Sequence, residues 1–358
     1  MNIPRGPTTT EPFATTLVTW QRVHGRHDLP WQTGEAYGVW VSEIMLQQTQ
    51  VQTVVAYYVR FMQRFPCLAS LAEADESAVM ESWSGLGYYA RARNLHRAAR
   101  DVMTRFNGVF PNTVDDIESL PGIGRSTASA IATFCFGARA PILDGNVKRV
   151  FARVFGIDGF PGTRAVEQRM WALAHTLMPE CDAPIYTQAL MDLGATVCVR
   201  HRPRCTCCPV AERCIARIED RQRDLPAPRP PRVRPLRLRH ALLLQTADAV
   251  LLERRPGHGI WGGLLSLPEL CAQTADAAQD EAAQWLAARG LPCEDVDMLP
   301  VVTHGFTHFE LRLTPLRVRL SARHDFAAES TLHWLSFTEL ASAALPAPVR
   351  RLLASLDD

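Results

Sequence analysis

The sequence predicts a multi-domain chain: an all-α half over residues 1–220 and an α+β half over 239–358, joined by a basic Pro/Arg-rich connector at 221–238. Three observations carry this prediction. Apolar residues recur at helical spacing through the first half, with Phe13, Leu17, Trp20 and His24 on one face and Val166, Met170, Leu173 and Leu177 on another. The stretch RQRDLPAPRPPRVRPLRLRH (221–240) holds five prolines and seven arginines, a composition for an extended, semi-rigid link rather than a packed element. Beyond it, HALLLQT and AVLLERR flank a short turn and ELRLTPLRVRL alternates apolar with polar residues, so this half reads as strands, with a helix around Asp276–Arg289 between them.

Element by element, Pro12 suits a helix start, Thr113 with Asp116 reads as a capping box, and glycines 108, 137 and 156 mark helix ends. A length of 358 residues suffices for two or three domains, each with its own core. The opening MNIPRGPTTTEP has no apolar stretch for a signal peptide, and no apolar run approaches a membrane span, so a cytoplasmic location is expected. The formal net charge of +1 hides a division, because residues 221–240 carry seven basic groups against one acidic and residues 241–358 carry nine against fifteen. Positive charge also gathers in Gly85–Arg105 and at Arg200, Arg202 and Arg204. Such blocks suit phosphate-facing patches, or simply solvated helix faces.

The most informative stretch is LPGIGRSTASAIATFCFGARAPILDGNVKRV (120–150). Gly122 and Gly124 form a turn too bare to keep a ligand away, and a helix opening at Arg125 aims unpaired N–H groups at it, which is how backbone binds an anion. The stretch lacks the Lys-Ser/Thr of a nucleotide P-loop and the third glycine of a dinucleotide fingerprint, so the phosphate it suits belongs to a polymer. A bare turn between two helices is the alternative.

Cys198, Cys205, Cys208 and Cys214 form a C-x6-C-x2-C-x5-C run within seventeen residues. Four thiolates so close together fit an iron–sulfur cluster or a tetrahedral zinc, although a zinc ribbon usually presents two separated C-x2-C knuckles. Cys207 is a spare beside the run, and Cys67, Cys135, Cys181, Cys271 and Cys293 read as isolated core thiols.

Two carboxylates stand out. Glu43 lies in VWVSEIMLQQTQ among Val39, Trp40, Val41, Ile44, Met45 and Leu46, a helix apolar on nearly every side and therefore buried. Its pKa should rise, leaving a proton to donate near neutral pH. Asp144 stands at the mouth of the helix in LDGNVKRV, where free amides and the dipole favour a negative charge, so it should stay ionised. An acid paired with an anionic stabiliser is the arrangement that glycoside cleavage uses. A hydrogen-bonded structural carboxylate and a plain N-cap are the alternatives.

Taken together, LPGIGRSTA, LDGNVKRV, the cysteine run, WVSEIMLQQTQV and GLGYYARARNL resemble the helix-hairpin-helix DNA glycosylases with an iron–sulfur cluster, and within them the adenine DNA glycosylases of the MutY type. The resemblance runs from about Phe13 to Ile218 and resumes more weakly from Arg239 to the end. It implies a 4Fe–4S cluster on the four cysteines, double-stranded DNA containing A:8-oxoguanine or A:G mismatches as partner, no membrane, and a monomer acting in the bacterial cytoplasm. It further implies that Glu43 is general acid and water activator, that Asp144 steadies the cationic sugar, and that Asn146 orients the catalytic groups. Leu29, Trp31, Val51 and Gln188 are implied to form the adenine pocket, and Gln48 and Tyr88 to enter the duplex beside the extruded base. Gly122, Gly124 and Arg125 are the expected phosphate contacts.

Sister enzymes of the endonuclease III type place a nucleophilic lysine where Ser126 stands. Lys148 is the only lysine in the chain, so a monofunctional glycosylase is expected. The C-terminal half resembles a Nudix-like domain that reads 8-oxoguanine, with Phe306, Thr307 and His308 as the reading loop. Gly263 and Glu269 have the opening Nudix spacing, but only Asp280 and Glu281 stand where a magnesium-holding helix needs more carboxylates, so metal-dependent hydrolysis should be lost.

Overall fold

A computed structural model describes residues 11–230, 233–257, 259–292, 296–306, 308–326, 329–341 and 343–356. It divides into two compact units: the described parts of Met1–Ala74 with Asn94–Pro231, and of Asp75–Arg93 with Arg232–Asp358. No helix among the described residues is long and apolar enough to cross a membrane.

Up to residue 220 the described chain is helical throughout. Its α-helices are α1 (Phe13–His24), α2 (Ala36–Leu46), α3 (Val51–Arg64), α4 (Leu68–Glu73), α5 (Glu76–Ser82) and α6 (Ala90–Arg105). They continue as α7 (Val114–Glu118), α8 (Arg125–Phe136), α9 (Gly145–Val154), α10 (Arg164–Leu177), α11 (Ala183–Asp192) and α12 (Ile215–Ile218). The expected punctuation is present: Pro12 caps α1, Gly137 closes α8 in the left-handed region at φ 67°, and Thr113 Oγ1 accepts the Asp116 N–H at 3.2 Å.

The core of this unit gathers α1, α9, α10 and α11, with Phe13 edge-on to Phe155 at 5.3 Å and to Tyr186 at 6.4 Å. Each fully buried aromatic or leucine of this kind contributes roughly 1.5–3 kcal/mol. The buried stripe of α1 differs from the expectation at its end. Phe13, Leu17 and the partly buried Trp20 lie in it, whereas His24 is exposed and Gln21 is buried instead. The reason is angular: an a/d-type step carried one turn too far leaves the face that α11 covers. In α10 the expected face holds, with Met170 fully buried and Val166, Leu173 and Leu177 packed around it.

The connector is shorter than the composition implied. Leu225 is buried in the helical core and its carbonyl accepts from Arg153 Nε at 2.8 Å, while a strand already begins at Leu236. A single leucine in a basic, proline-rich run is enough to dock it, because apolar burial outweighs the local preference for extension. Only residues 227–230 and 233–235 are described without regular structure between the two.

The second unit is built on a mixed eight-stranded sheet. Its strands are β1 (Leu236–Gln245), β2 (Ala249–Arg254), β3 (Leu265–Ser266), β4 (Glu269–Leu270), β5 (Asp297–Met298), β6 (Val302–Gly305), β7 (Glu310–Arg319) and β8 (Leu332–Ser336). The main path runs β3-β2-β1-β7-β5; β1 and β7 pair in parallel from Leu236 opposite Glu310 to Gln245 opposite Arg319. Period-two alternation sends Leu242, Leu244 and Leu251 to one face, under α13 (Ala275–Ala287). It sends Leu243, Val250 and Leu252 to the other, under α14 (Ala347–Ala354). Within the same unit, Arg350 Nη2 donates to Ser84 Oγ at 3.1 Å and the Tyr89 hydroxyl donates to the Leu345 carbonyl at 3.4 Å, which ties the segment after α5 to the end of the sheet unit.

Candidate active site and cysteine loop

The bare turn of the sequence is a helix-hairpin-helix. Helices α7 and α8 flank it, and Gly122 adopts φ 80° with so little room that an added Cβ would lie 2.7 Å from Asn94 Cβ. Gly122, Gly124 and Arg125 are exposed, and Gly124 opens into free space at the N-terminus of the twelve-residue α8. The amides of that first turn therefore face outward with the positive end of the helix dipole behind them. Arg125 does not hang loose: its guanidinium lies 4.0 Å over the Trp171 ring and its Nη2 is 2.7 Å from His175 Nε2. One residue on, Ser126 Oγ accepts the Leu143 N–H at 2.9 Å and anchors the return that delivers Asp144 to the start of α9.

Asp144 is the N-cap of α9, its Oδ1 accepting the Val147 N–H at 2.8 Å. Asn146 Nδ2 reaches the other oxygen at 3.4 Å, and Asn146 is itself fixed by Arg149 Nη2 on its Oδ1 at 2.8 Å. Gly194 is required alongside, since a Cβ there would sit 2.5 Å from Asn146 Cβ. The expectation that the helix mouth alone sets this carboxyl needs correction. Burial pushes Asp144 above the ordinary carboxylate range, and the Val147 and Asn146 amides with Arg149 and Lys148 pull the other way. The sequence displayed the cap but not the depth at which the cap lies.

Glu43 itself is half-buried, on a helix whose neighbouring apolar residues are buried as expected. Val39, Trp40, Val41, Ile44 and Met45 are all at most 4 % exposed around it, and burial, followed by the neighbouring charge of Asp144, pushes its carboxyl up to about 8. The negative charge of Asp144 adds to the effect of burial and favours the protonated form of Glu43. No hydrogen-bond partner among the described residues holds the Glu43 carboxyl.

Glu43 lies on the wall of a cavity of about 480 Å³ that Leu29, Trp31, Val51 and Gln188 also line. Trp31 is buried and stands edge-on to Tyr58 at 5.4 Å. Asp144, Asn146 and Ser126 are not part of its lining, and neither is Gln48. Gln48 is exposed with φ 59° and Tyr88 is 55 % exposed with φ 50°, left-handed backbones that non-glycine residues rarely hold. Core packing is thereby excluded for Tyr88. Sequence reasoning missed Arg26, Phe134, Ile185 and Met191 on the same wall, and Asp192 behind it. No local signal marks them, because the contact between α11 and the loop after α1 spans more than 160 residues.

The four cysteines ring one small void together with Arg153 and Arg217. Arg153 is 3 % exposed and its guanidinium donates to the carbonyls of Leu225, Val199 and Arg200 at 2.7–3.0 Å and reaches Cys198 Sγ at 3.5 Å. The loop is thus pinned from inside, while Arg200 and Arg202 are exposed and Arg204 is both exposed and part of the void's lining. A mononuclear zinc needs four sulfurs each about 2.3 Å from one point. Among the described residues no group of three or more His, Cys, Asp or Glu is set to hold a metal ion. The four cysteines nonetheless line one shared void, a donor set that suits a thiolate-ligated metal centre. Cys207 is exposed beside it. Of the presumed core thiols, Cys67, Cys181 and Cys271 are exposed and Cys135 is half-buried; Cys293 lies outside the described residues. An apolar residue without a periodic partner carries no burial signal, which is why these three were misassigned.

In the sheet unit, Phe306 stacks on Phe309 at 4.5 Å and 24°, with His304 edge-on at 4.7 Å, and Arg237 lies 4.2 Å over Phe309. His308 is exposed, and Thr307 lies outside the described residues. The Nudix-spaced carboxylates are internally engaged: Glu269 pairs with Arg255 at 2.6 Å, and Glu281 accepts the N–H groups of Cys271 and Ala272 at 2.9 and 2.8 Å. Gly263 holds φ 76°.

Comparison with known proteins agrees with this fold. Residues 41–175 match the HhH-GPD superfamily base excision DNA repair protein model, and residues 240–355 match the NUDIX domain model. The adenine DNA glycosylase of Buchnera aphidicola (subsp. Acyrthosiphon pisum) is 33 % identical over 95 % of this chain and 96 % of its own. The adenine DNA glycosylase of Homo sapiens is 32 % identical over 95 % and 73 %. A thermostable thymine-DNA glycosylase structure superposes with a TM-score of 0.53 at 28 % identity, covering 58 % of this chain and 95 % of that one. An Endonuclease III–DNA complex shares the fold at a TM-score of 0.50 and 19 % identity, with 58 % and 94 % covered. With relatives this similar over nearly the full length of both chains, the chain belongs to the adenine DNA glycosylases, base-excision DNA repair enzymes with an HhH-GPD helical half and a C-terminal NUDIX domain.

Proposed function

We propose that the enzyme removes adenine mispaired with 8-oxoguanine or guanine in double-stranded DNA. The observation that carries this reading is Glu43, a carboxyl pushed up to about 8 by burial and by the charge of Asp144, on the wall of a largely apolar cavity. The hairpin amides and Arg125 grip a phosphate, Gln48 and Tyr88 fill the space that the extruded adenosine leaves, and the base enters among Leu29, Trp31, Val51 and Gln188. Glu43 gives its proton to a purine ring nitrogen. The C1′–N9 bond then breaks with its electron pair passing to adenine, and the Asp144 carboxylate, held by Asn146, stabilises the oxocarbenium-like sugar. The Glu43 carboxylate finally takes a proton from the water that attacks C1′.

No lysine chemistry follows. Ser126 occupies the hairpin position, and Lys148 is engaged with Glu167 at 2.6 Å, so the enzyme is monofunctional. Borohydride should trap no covalent product above that of a Lys148→Ala variant; abundant trapping that survives the substitution contradicts this. Cys198, Cys205, Cys208 and Cys214 hold a 4Fe–4S cluster, which shapes the Arg200–Arg204 loop as a further phosphate contact. About four irons per chain, without zinc, is the expected elemental content.

The division of labour places chemistry in residues 1–220 and reading of 8-oxoguanine in 239–358, through Phe306, Thr307 and His308, with the stretch between Leu225 and Leu236 linking the two. We expect a monomer acting on the nucleoid in the cytoplasm. Single-turnover base release from duplexes containing A:8-oxoguanine, A:G, T:G or thymine glycol tests the whole reading. Adenine should be released from the first two and thymine from neither of the others. Release of thymine in preference to adenine overturns the proposal.

A further inference from the structure

Gln188 and Asp192 stand one turn apart on α11, and Gln188 lines the cavity that Glu43 faces. Asp192 is 1 % exposed, yet its carboxylate is fully engaged. Its Oδ2 accepts the Arg26 backbone N–H at 2.9 Å, and its Oδ1 accepts Arg26 Nε at 2.7 Å and Gln188 Nε2 at 2.8 Å, with Arg26 Nη2 paired to the same oxygen at 2.6 Å. A carboxylate only accepts, so the group that Gln188 turns toward it must be its NH2 and not its carbonyl. The usual ambiguity of an amide, whose two ends exchange by a flip of the side chain, is therefore removed by Asp192.

We infer that Asp192 is a positioning residue that sets the polarity of Gln188 and through it the choice of base; this rests on the adenine-pocket reading above. One N–H of Gln188 is held by Asp192. The carbonyl Oε1 and the remaining N–H are what the side chain offers the cavity, an acceptor beside a donor. Adenine presents the complementary pair, the N6 amine as donor beside a ring nitrogen as acceptor, which is the bidentate match between a glutamine and adenine. Guanine and hypoxanthine present an O6 acceptor at the same place. Against it, Oε1 is an acceptor facing an acceptor, and the fixed amide cannot flip to relieve the clash. Arg26 completes the device. By occupying both oxygens of Asp192 it keeps the carboxylate from turning away, and the loop that carries Arg26 forms part of the cavity wall.

The test uses the full-length protein and single-turnover base release from two duplexes that differ at one base opposite 8-oxoguanine, adenine or hypoxanthine. Asp192→Asn can present either an acceptor or a donor to Gln188 and so permits the flip. The adenine-to-hypoxanthine rate ratio should fall by about ten- to a hundredfold, with the adenine rate lower and the hypoxanthine rate equal or higher. Gln188→Met, which removes both amide groups, should give a similarly reduced ratio, and adding Asp192→Asn to it should reduce the ratio no further. If Asp192→Asn alone does not fold, Asp192→Asn with Arg26→Gln removes the buried charges together and is read in the same way. Equal slowing of both bases at an unchanged ratio means that Asp192 only supports the fold, and the inference fails. If the wild type releases no adenine from the first duplex, the adenine-pocket reading fails with it.

Discussion

The two units treat their carboxylates in opposite ways. In the helical unit, Glu43 is left without a hydrogen-bond partner among the described residues and its proton is held by burial and by the charge of Asp144. In the sheet unit, Glu269 is closed onto Arg255 and Arg239, and Glu281 onto two backbone amides. A half-buried, unengaged carboxyl is poised to exchange a proton; one that is saturated by donors holds a loop in place and has little capacity left for a metal. Under the proposed function, the contrast accounts for a NUDIX fold retained as a reader while the chemistry lies in the helices.

The largest effect expected from breaking this contrast is at Glu43. Glu43→Gln should lower adenine release by on the order of a thousandfold or more, measured in single turnover, with DNA binding retained. It should also raise stability at pH 8. The folded state keeps the Glu43 proton up to about 8, whereas a group at its ordinary value of 4.5 has released it. Its contribution to stability is therefore full below about 4.5 and is lost as pH rises through about 8. Removing the group should gain on the order of 2 kcal/mol at pH 8 in a denaturant titration, with no gain at pH 4.

Next in size, Asp144→Asn should cost about a hundredfold in adenine release and little stability, since asparagine caps a helix as well as aspartate does. At the hairpin, the two glycines should separate fold from function. Gly122→Ala places a Cβ 2.7 Å from Asn94 Cβ in a left-handed backbone and should destabilise by about 1–3 kcal/mol. Gly124→Ala meets nothing within 4 Å and should leave the melting midpoint nearly unchanged, while DNA affinity falls because the methyl obstructs the approach of a phosphate. The smallest effect lies in the sheet unit. Glu281→Gln should cost about 1–2 kcal/mol of stability and leave the single-turnover rate of adenine release unaltered. A large loss of rate there would erase the contrast between the units.

Much of this was legible in the sequence because the signals are local. The apolar residues on both sides of Glu43, the glycines of the hairpin, the cap at Asp144 and the cysteine spacing each report on neighbours within one or two turns. Alternation marked β7 as a strand, and the apolar runs on either side of a short turn marked β1 and β2. What failed was long-range. Nothing near Arg26 indicates that it meets Asp192, and nothing near Leu225 shows that the helical core receives it. The burial that raises Asp144 comes from the folded surroundings and not from its own helix, so a reading limited to the dipole gave only the opposing half of the balance. The exposed thiols at 67, 181 and 271 fail for a related reason, since residue type alone does not fix depth.

The central claim is that Glu43 carries a proton at neutral pH, and a direct titration tests it. Carbon-13 NMR of the glutamate side-chain carboxyls in the full-length protein, with Glu43→Gln used to assign the resonance, should give a midpoint near about 8. A midpoint near the ordinary 4.5 contradicts the account.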